Sequence, residues 1–242
     1  SFNKNIDEKA IGLLEHRGPD DQGSYKDSNI YLGHTRLSIQ DLSSNGHQPM
    51  MSENKKVVLI YNGELYNHKE LRKEIENKGF KFRGLSDTEV ILKLYEIYGI
   101  GFLQKLNGIF ALAIWNIEEK ELFLARDHFG VKPLYFTINE DSFTFSSEIK
   151  SIISSINLNK DIDYKSLFSH LTYMWSPTPR TMFKNIKKME PGHVMLIKDS
   201  RIIYNNKFYD IEFNNINQNI STSEAINKTR YLLREAVKKQ LI

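Results

Sequence analysis

Val57-Val58-Leu59-Ile60-Tyr61-Asn62-Gly63-Glu64-Leu65-Tyr66-Asn67 joins an apolar run to an amide, a glycine and a carboxylate. The apolar part is long enough for a buried strand. The polar residues that follow Asn67 read as a helix, so the Asn-Gly-Glu trio falls at a strand end. A side-chain amide and an unencumbered backbone N–H are the donors an oxyanion needs, provided they are fixed before the charge develops. Asn-Gly is equally the strongest short hairpin signal, because both residues tolerate positive φ. This segment alone leaves both readings open.

Working outward, short apolar runs dominate as far as Ile197. Candidate strands fall at 30–32, 37–40, 57–61, 109–115, 122–125, 134–137, 143–146 and 194–197. Several are β-branched or aromatic with turn residues between them, which fits antiparallel sheet. The run from Phe110 to Trp115 is apolar throughout and predicts a strand covered on both faces. Asn67 with Glu70, and Ser86 with Glu89, have the form of capping boxes, with Gly79 and Gly99 as the matching stops. The second of these helices carries Val90, Ile91, Leu94 and Tyr98 on one face. Ser146 to Lys150 reads as a further helix start, and Pro191-Gly192-His193 as a turn before a last strand. Strands mixed with a few helices, without strict alternation, predict an α+β fold. An Asn-rich stretch at 211–222 then reads as a linker. After it, Ser221 and Glu224 open a helix bearing Ile226, Thr229, Leu233, Val237 and Leu241 at helical spacing.

The 242 residues hold 33 Lys+Arg against 30 Asp+Glu, with no block of like charge, so neither nucleic acid nor an anionic membrane is favoured as a partner. No apolar run approaches membrane-spanning length, and Ser1 to Asn5 lacks a signal-peptide core. Cysteine is absent, which excludes disulfides, zinc–thiolate sites and a thiol nucleophile from these residues. The seven histidines show no metal-ligand spacing, so no metal site is expected. A cytoplasmic location is the default. Phosphate-binding loops are missing too; Gly99-Ile100-Gly101 reads as a helix end and turn.

Taken singly, the remaining polar motifs are structural. His16-Arg17-Gly18-Pro19-Asp20-Asp21 is a rigid turn. Arg36 has the planar fork for a small carboxylate, but a lone arginine here reads as a surface residue on an edge strand. Asp87 would suit an ammonium, yet in a first helical turn it reads as a capping or dipole contact. The charged stretch from Arg126 to Tyr135 reads as a salt-bridged turn.

Together, in the order 16–20, 36–39, 62–64, 86–89, 126–135 and 146–150, these pieces resemble the N-terminal glutaminase domain of glutamine-hydrolysing asparagine synthetases. Residues 173–183 and Pro191-Gly192-His193 extend the similarity over nearly the whole chain. The resemblance implies an N-terminal-nucleophile hydrolase-like, four-layer αββα sandwich of two antiparallel sheets. It divides the chain into a glutaminase domain at 1–209 without its extreme N-terminus, a linker at 210–222, and the first helix of a truncated ATP-dependent synthetase domain at 223–242.

The same resemblance implies that L-glutamine binds with its carboxylate on Arg36 and its ammonium on Asp87 and Glu64. Backbone groups of Leu37, Ser38, Ile39 and Gln40 would shape the pocket, and Asn62 with Gly63 would form the oxyanion hole. ATP and Mg would serve the missing synthetase domain, no cofactor being expected in these residues. That synthetase domain would be a partner, and a homodimer is compatible with the family. The family's nucleophile is an N-terminal Cys. Ser1 does not replace it, because polar residues follow and its spacing to Arg36 is too short. The chain alone is therefore expected to be inactive. The alternative is a catalytically silent structural or glutamine-binding domain, as in β-lactam synthetase-like proteins.

Overall fold

In the computed structural model, residues 4–139, 141–156, 158–211, 213 and 220–241 are described. Ser1 and most of the 210–222 linker lie outside them. In chain order the elements begin α1 (Lys4–Gly12), β1 (Asp21–Lys26), β2 (Tyr31–Arg36), β3 (Met50–Met51), β4 (Val57–Leu65), α2 (His68–Glu76) and α3 (Asp87–Tyr98). Next come β5 (Gly108–Asn116), β6 (Glu121–Arg126), β7 (Tyr135–Ile138), β8 (Phe143–Ser146), α4 (Ile149–Ser155) and α5 (Tyr164–Tyr173). The chain continues through β9 (Lys187–Lys188), β10 (His193–Lys198), β11 (Arg201–Lys207) and α6 (Thr222–Gln240).

A six-stranded antiparallel sheet runs in the order β11-β10-β6-β5-β4-β3. Alternation along β4 sends Val57, Leu59, Tyr61 and Leu65 to one face, where they pack on α2 and α3. Val58 and Ile60 face the other way, against Leu32 and Phe136 of the β1–β2 and β8-β7-β9 ribbons and against Ile30 and Leu134, which immediately precede β2 and β7. Outside those ribbons lie α1 and α4, packed on β2 and on β7 and β8; the Ser151 hydroxyl of α4 donates to the Ala10 carbonyl of α1. The layers are thus helix, sheet, sheet, helix: an α+β sandwich of the αββα kind.

The long apolar strand is as expected: Phe110 to Trp115 are all buried in the centre of the large sheet. Several expectations need correction. Residues 37–40 are not a strand. The β1–β2 ladder ends where Asp21 meets Arg36, and with Leu37 and Ile39 exposed the segment has neither a strand partner nor an apolar surface to bury against. Asn67 occupies the N-cap position of α2 but caps nothing; its amide ties to the Lys105 carbonyl and its Oδ1 accepts from the Asn107 N–H, bracing the entry to β5. Only half of the Ser86–Glu89 box forms. Ser86 accepts from the Thr88 N–H, while Glu89 turns to the N–H groups of Arg83 and Gly84.

Pro191-Gly192-His193 does precede a strand, but β11 follows β10, so that strand is not the last. Helix α3 is buried through every residue from Asp87 to Leu94, not along one stripe. In α6, Ser221 caps the Glu224 N–H as expected, and none of the helix's described side chains is buried. No helix among the described residues is long and apolar enough to cross a membrane.

Candidate functional site at the open edge of the central strand

The hairpin alternative at Asn62-Gly63 does not hold. Strand β4 runs straight through it, with Asn62 opposite Ala111, Gly63 opposite Phe110 and Glu64 opposite Ile109. Backbone polarity in an antiparallel strand alternates from edge to edge, and here its phase is fixed twice. The Tyr61 N–H points away from β5, to the Gln48 side chain at 2.6 Å. On the other strand, Phe110 exchanges hydrogen bonds with Asp127, at 2.8 Å and 3.2 Å, and so turns its backbone away from β4. Gly63 therefore directs its N–H and C=O at the outer edge of β4. Strand β3 reaches only Leu59 and Val58, so no strand covers that edge at Gly63. Of its neighbours on the edge, Tyr61 is occupied by Gln48, and Leu65 donates to Asp87 at 3.0 Å.

Glycine is required here by the far side of the strand: a Cβ at 63 would strike the Ile109 carbonyl and come within 2.8 Å of Phe110 Cα. Asn62 and Glu64 share the face of Val58 and Ile60, by the two-residue period. Asp87 reaches the same edge from the opposite face, at the start of α3. It is buried, and its Oδ2 accepts from Tyr61 Oη at 3.1 Å as well as from Leu65. Burial raises its pKa above the ordinary carboxylate range, against the pull of these hydrogen bonds. Gln48 ties this edge of β4 to α3, since its amide also donates to Thr88 Oγ1 at 3.3 Å.

The second wall is a loop. Arg36 ends β2 and donates to the carbonyls of Ser43 and Asp41, the former at 3.0 Å. Part of its fork is thus spent closing the 41–46 turn, and a Cβ at Gly46 would collide with its guanidinium. Asp41 pins that turn to the start of α3: it accepts from Leu85 N–H at 2.7 Å and from Ser43 N–H at 2.9 Å. Although burial opposes it, the hydrogen bond from the Ser43 hydroxyl and those from the Leu85 and Ser43 N–H groups hold its carboxyl below the usual range. Leu37 and Ile39 are exposed, and Ser38 donates its N–H to Asp20 at 2.7 Å.

One cavity of about 1170 Å³ brings the expected residues together: Arg36, Leu37, Ile39, Gln40, Asn62, Gly63, Glu64 and Asp87 all line it, and Ser38 does not. From that end it continues over Ala111, Ala113 and Trp115 between the two sheets. Sequence reasoning missed His34, Gln48 and Tyr61. None carries a spacing signal; each matters only because the fold brings it to the edge of β4.

The turns at 16–21 and 126–135 are structural, but the second is closed by hydrogen bonds to backbone groups, not by the salt bridge expected of it. His16 and Arg17 both donate to Glu148, at 2.9 and 3.2 Å. Partial burial notwithstanding, the hydrogen bonds from Lys150, His16 and Arg17 keep the Glu148 carboxyl below its usual range. Arg126, buried, donates to the carbonyls of Lys132, Met189 and Gly130. Asp127 accepts from the N–H groups of Phe129, Val131 and Lys132 through its side chain, and from that of Gly130 through its carbonyl.

A model of the glutamine amidotransferase domain family matches residues 2–209. Asparagine synthetase (glutamine-hydrolyzing) 1 of Bacillus subtilis is 42% identical over 186 residues, which is 77% of this chain and 29% of that protein. Asparagine synthetase (glutamine-hydrolyzing) 3 of the same organism is 36% identical over 239 residues, 97% of this chain and 38% of that protein. The chain thus spans well under half the length of these two relatives. Among solved structures, the glutamine phosphoribosylpyrophosphate amidotransferase from B. subtilis aligns with a TM-score of 0.63 at 21% identity, covering 85% of this chain and 46% of that one. That likeness bears on the fold and agrees with the layered sandwich that the resemblance implied. With its model matching residues 2–209, the chain belongs to the glutamine amidotransferase domain family.

Proposed function

We propose that residues 1–209 are a glutaminase module, which hydrolyses L-glutamine to glutamate and ammonia for ATP-dependent amidation of aspartate by a longer parent enzyme. Residues 210–222 would link it to a synthetase domain that 223–242 begin, and the parent would act in the cytoplasm. The observation that carries this reading is the Gly63 N–H: a donor aimed outward from a rigid strand, between neighbours whose own N–H groups are already bonded.

In this reading the Gly63 N–H and the Asn62 amide take the carboxamide oxygen and hold it as it becomes an oxyanion. Neutral donors fixed by a sheet ladder need no reorganisation when that charge appears. Glu64 and Asp87 receive the α-ammonium, Arg36 the α-carboxylate, and the backbone from Leu37 to Gln40, with Ser38 and Ile39, flanks the ligand. Opposite charges at the two ends select a zwitterion. The attacking thiolate is that of an N-terminal Cys, with its own α-amine carrying the proton. No Cys occurs in the 242 residues, so this chain is expected to bind glutamine without turning it over. The second reading is a glutamine-binding or structural domain with no hydrolysis in the parent either.

Calorimetric titration of the chain with L-glutamine tests the binding step, and saturable binding with a stoichiometry of one is expected. No binding would overturn the module. N-terminal sequencing of the parent polypeptide then separates the two readings: a Cys terminus is expected, and its absence would leave only the silent domain.

A further inference from the structure

Among the described residues, three buried side-chain atoms have no hydrogen-bond partner: Nδ1 of His34, and Nε2 and Oε1 of Gln40. Such atoms cost on the order of 1–3 kcal/mol each when left unpaired. Both residues line the cavity that holds Arg36, Asn62, Gly63 and Asp87. The unmet side-chain hydrogen-bonding capacity of the described interior is therefore gathered at one place.

His34 is the more constrained of the two. On β2 it shares a face with Leu32 and Arg36, and Leu32 is in the core between the sheets, so the imidazole is directed toward β4. Its Nε2 lies 3.2 Å from the Tyr61 carbonyl. A carbonyl can only accept, so Nε2 carries the hydrogen, and in the neutral ring Nδ1 is left as an acceptor. The Tyr61 C=O and the Gly63 N–H leave β4 on the same edge, one pleat apart. The ring is thereby anchored beside the donor assigned to the carboxamide oxygen.

We propose that His34 is a specificity-determining residue that reads the carboxamide nitrogen of glutamine, its Nδ1 accepting a hydrogen bond from the –NH2 whose neighbouring oxygen sits on Gly63 and Asn62. Glutamate presents a second acceptor oxygen in place of that nitrogen and meets a lone pair. Substrate is thus distinguished from product by one atom. The ring stays neutral at working pH: burial lowers its pKa to about 4, Arg36 and His47 work in the same direction, and the Tyr61 carbonyl and Asp21 only partly oppose it. This inference rests on the glutaminase reading above.

The test uses the chain as it stands, 15N-labelled at histidine and titrated with L-glutamine and, separately, L-glutamate. The His34 Nδ1 resonance is expected to move with glutamine and not with glutamate. His34→Gln keeps an N–H for the Tyr61 carbonyl but offers nothing at the Nδ1 position, and its preference for glutamine over glutamate should fall about tenfold. His34→Asn places a carbonyl oxygen where Nδ1 stood and should keep that preference. A still Nδ1 resonance at glutamine saturation overturns the proposal, as does an unchanged preference in His34→Gln. Failure of the unsubstituted chain to bind glutamine overturns the glutaminase reading as well, so the two failures are distinguishable.

Discussion

The two walls of the cavity are built on different principles. One is the edge of β4, where Gly63 is held by a nine-residue ladder to β5 and backed by a buried helix start. The other is the stretch from Arg36 through the 41–46 turn, held by the Arg36 guanidinium donating to two carbonyls and by the Asp41 carboxylate accepting from the Leu85 N–H. Displacing Gly63 means shearing a sheet; displacing the 37–40 segment means breaking a few hydrogen bonds. The division suits the roles proposed for each wall, since stabilising an oxyanion demands donors that do not move, whereas gripping a flexible amino acid tolerates a wall that closes on it.

The sharpest way to break this contrast is kinetic. In a parent enzyme bearing its Cys, Asn62→Ala should lower turnover by ~10²–10³ while raising KM far less. Equal effects on both would remove Asn62 from the oxyanion site. Next in size is Gly63→Ala, which forces a Cβ onto the Ile109 carbonyl and should destabilise the chain by ~1–3 kcal/mol; an unchanged urea midpoint would show that the edge yields. Arg36→Ala should weaken glutamine binding and lower stability by ~1 kcal/mol, because the carbonyls of Ser43 and Asp41 lose their donor. Unaltered affinity in calorimetry would leave Arg36 with a structural role alone. Ile39→Ser, by contrast, should stay within ~0.5 kcal/mol of the parent in thermal unfolding, as an exposed residue outside any ladder.

Acid provides a test in which the walls respond in opposite directions. Asp41 has a depressed pKa in the fold, so its contribution is complete above its unfolded value of 3.8 and is lost as pH falls through the lower folded value. Asp87 has a raised pKa, so its contribution is complete below 3.8 and is lost as pH rises through the higher folded value. Asp87→Asn should therefore hold or raise the melting temperature at pH 7 while weakening glutamine binding. In the unsubstituted chain, affinity should begin to fall on acidification at a higher pH than an ordinary aspartate would cause. A melting temperature that drops in Asp87→Asn would contradict the sign of that shift.

Much of the fold was legible because the central strands are apolar enough to announce themselves. β5, buried on both faces, has no polar alternation to obscure it. β1 was not legible: Asp21-Gln22-Gly23-Ser24-Tyr25-Lys26 has little strand propensity and is held by its ladder to β2. The edge strand β11 escaped because its side chains are mostly exposed. Residues 37–40 erred the other way, since Leu37 and Ile39 alternate as in a half-buried strand yet meet no partner. In the site, Asn62-Gly63-Glu64 stood out from local chemistry alone. Arg36 and Asp87 became candidates only through their order along the chain, and His34 only through its three-dimensional surroundings.

The Arg126–Asp127 turn has a consequence for digestion experiments. Phe129 and Val131 stand exposed on it, at 64% and 57%, and would attract a protease with a taste for large apolar residues. Yet the four successive amides from Phe129 to Lys132 all bond to Asp127. A protease needs an extended backbone, so cleavage there has to wait for local opening. This bait should outlast the first cuts made elsewhere, and its amide protons should exchange with deuterium at the pace of the interior.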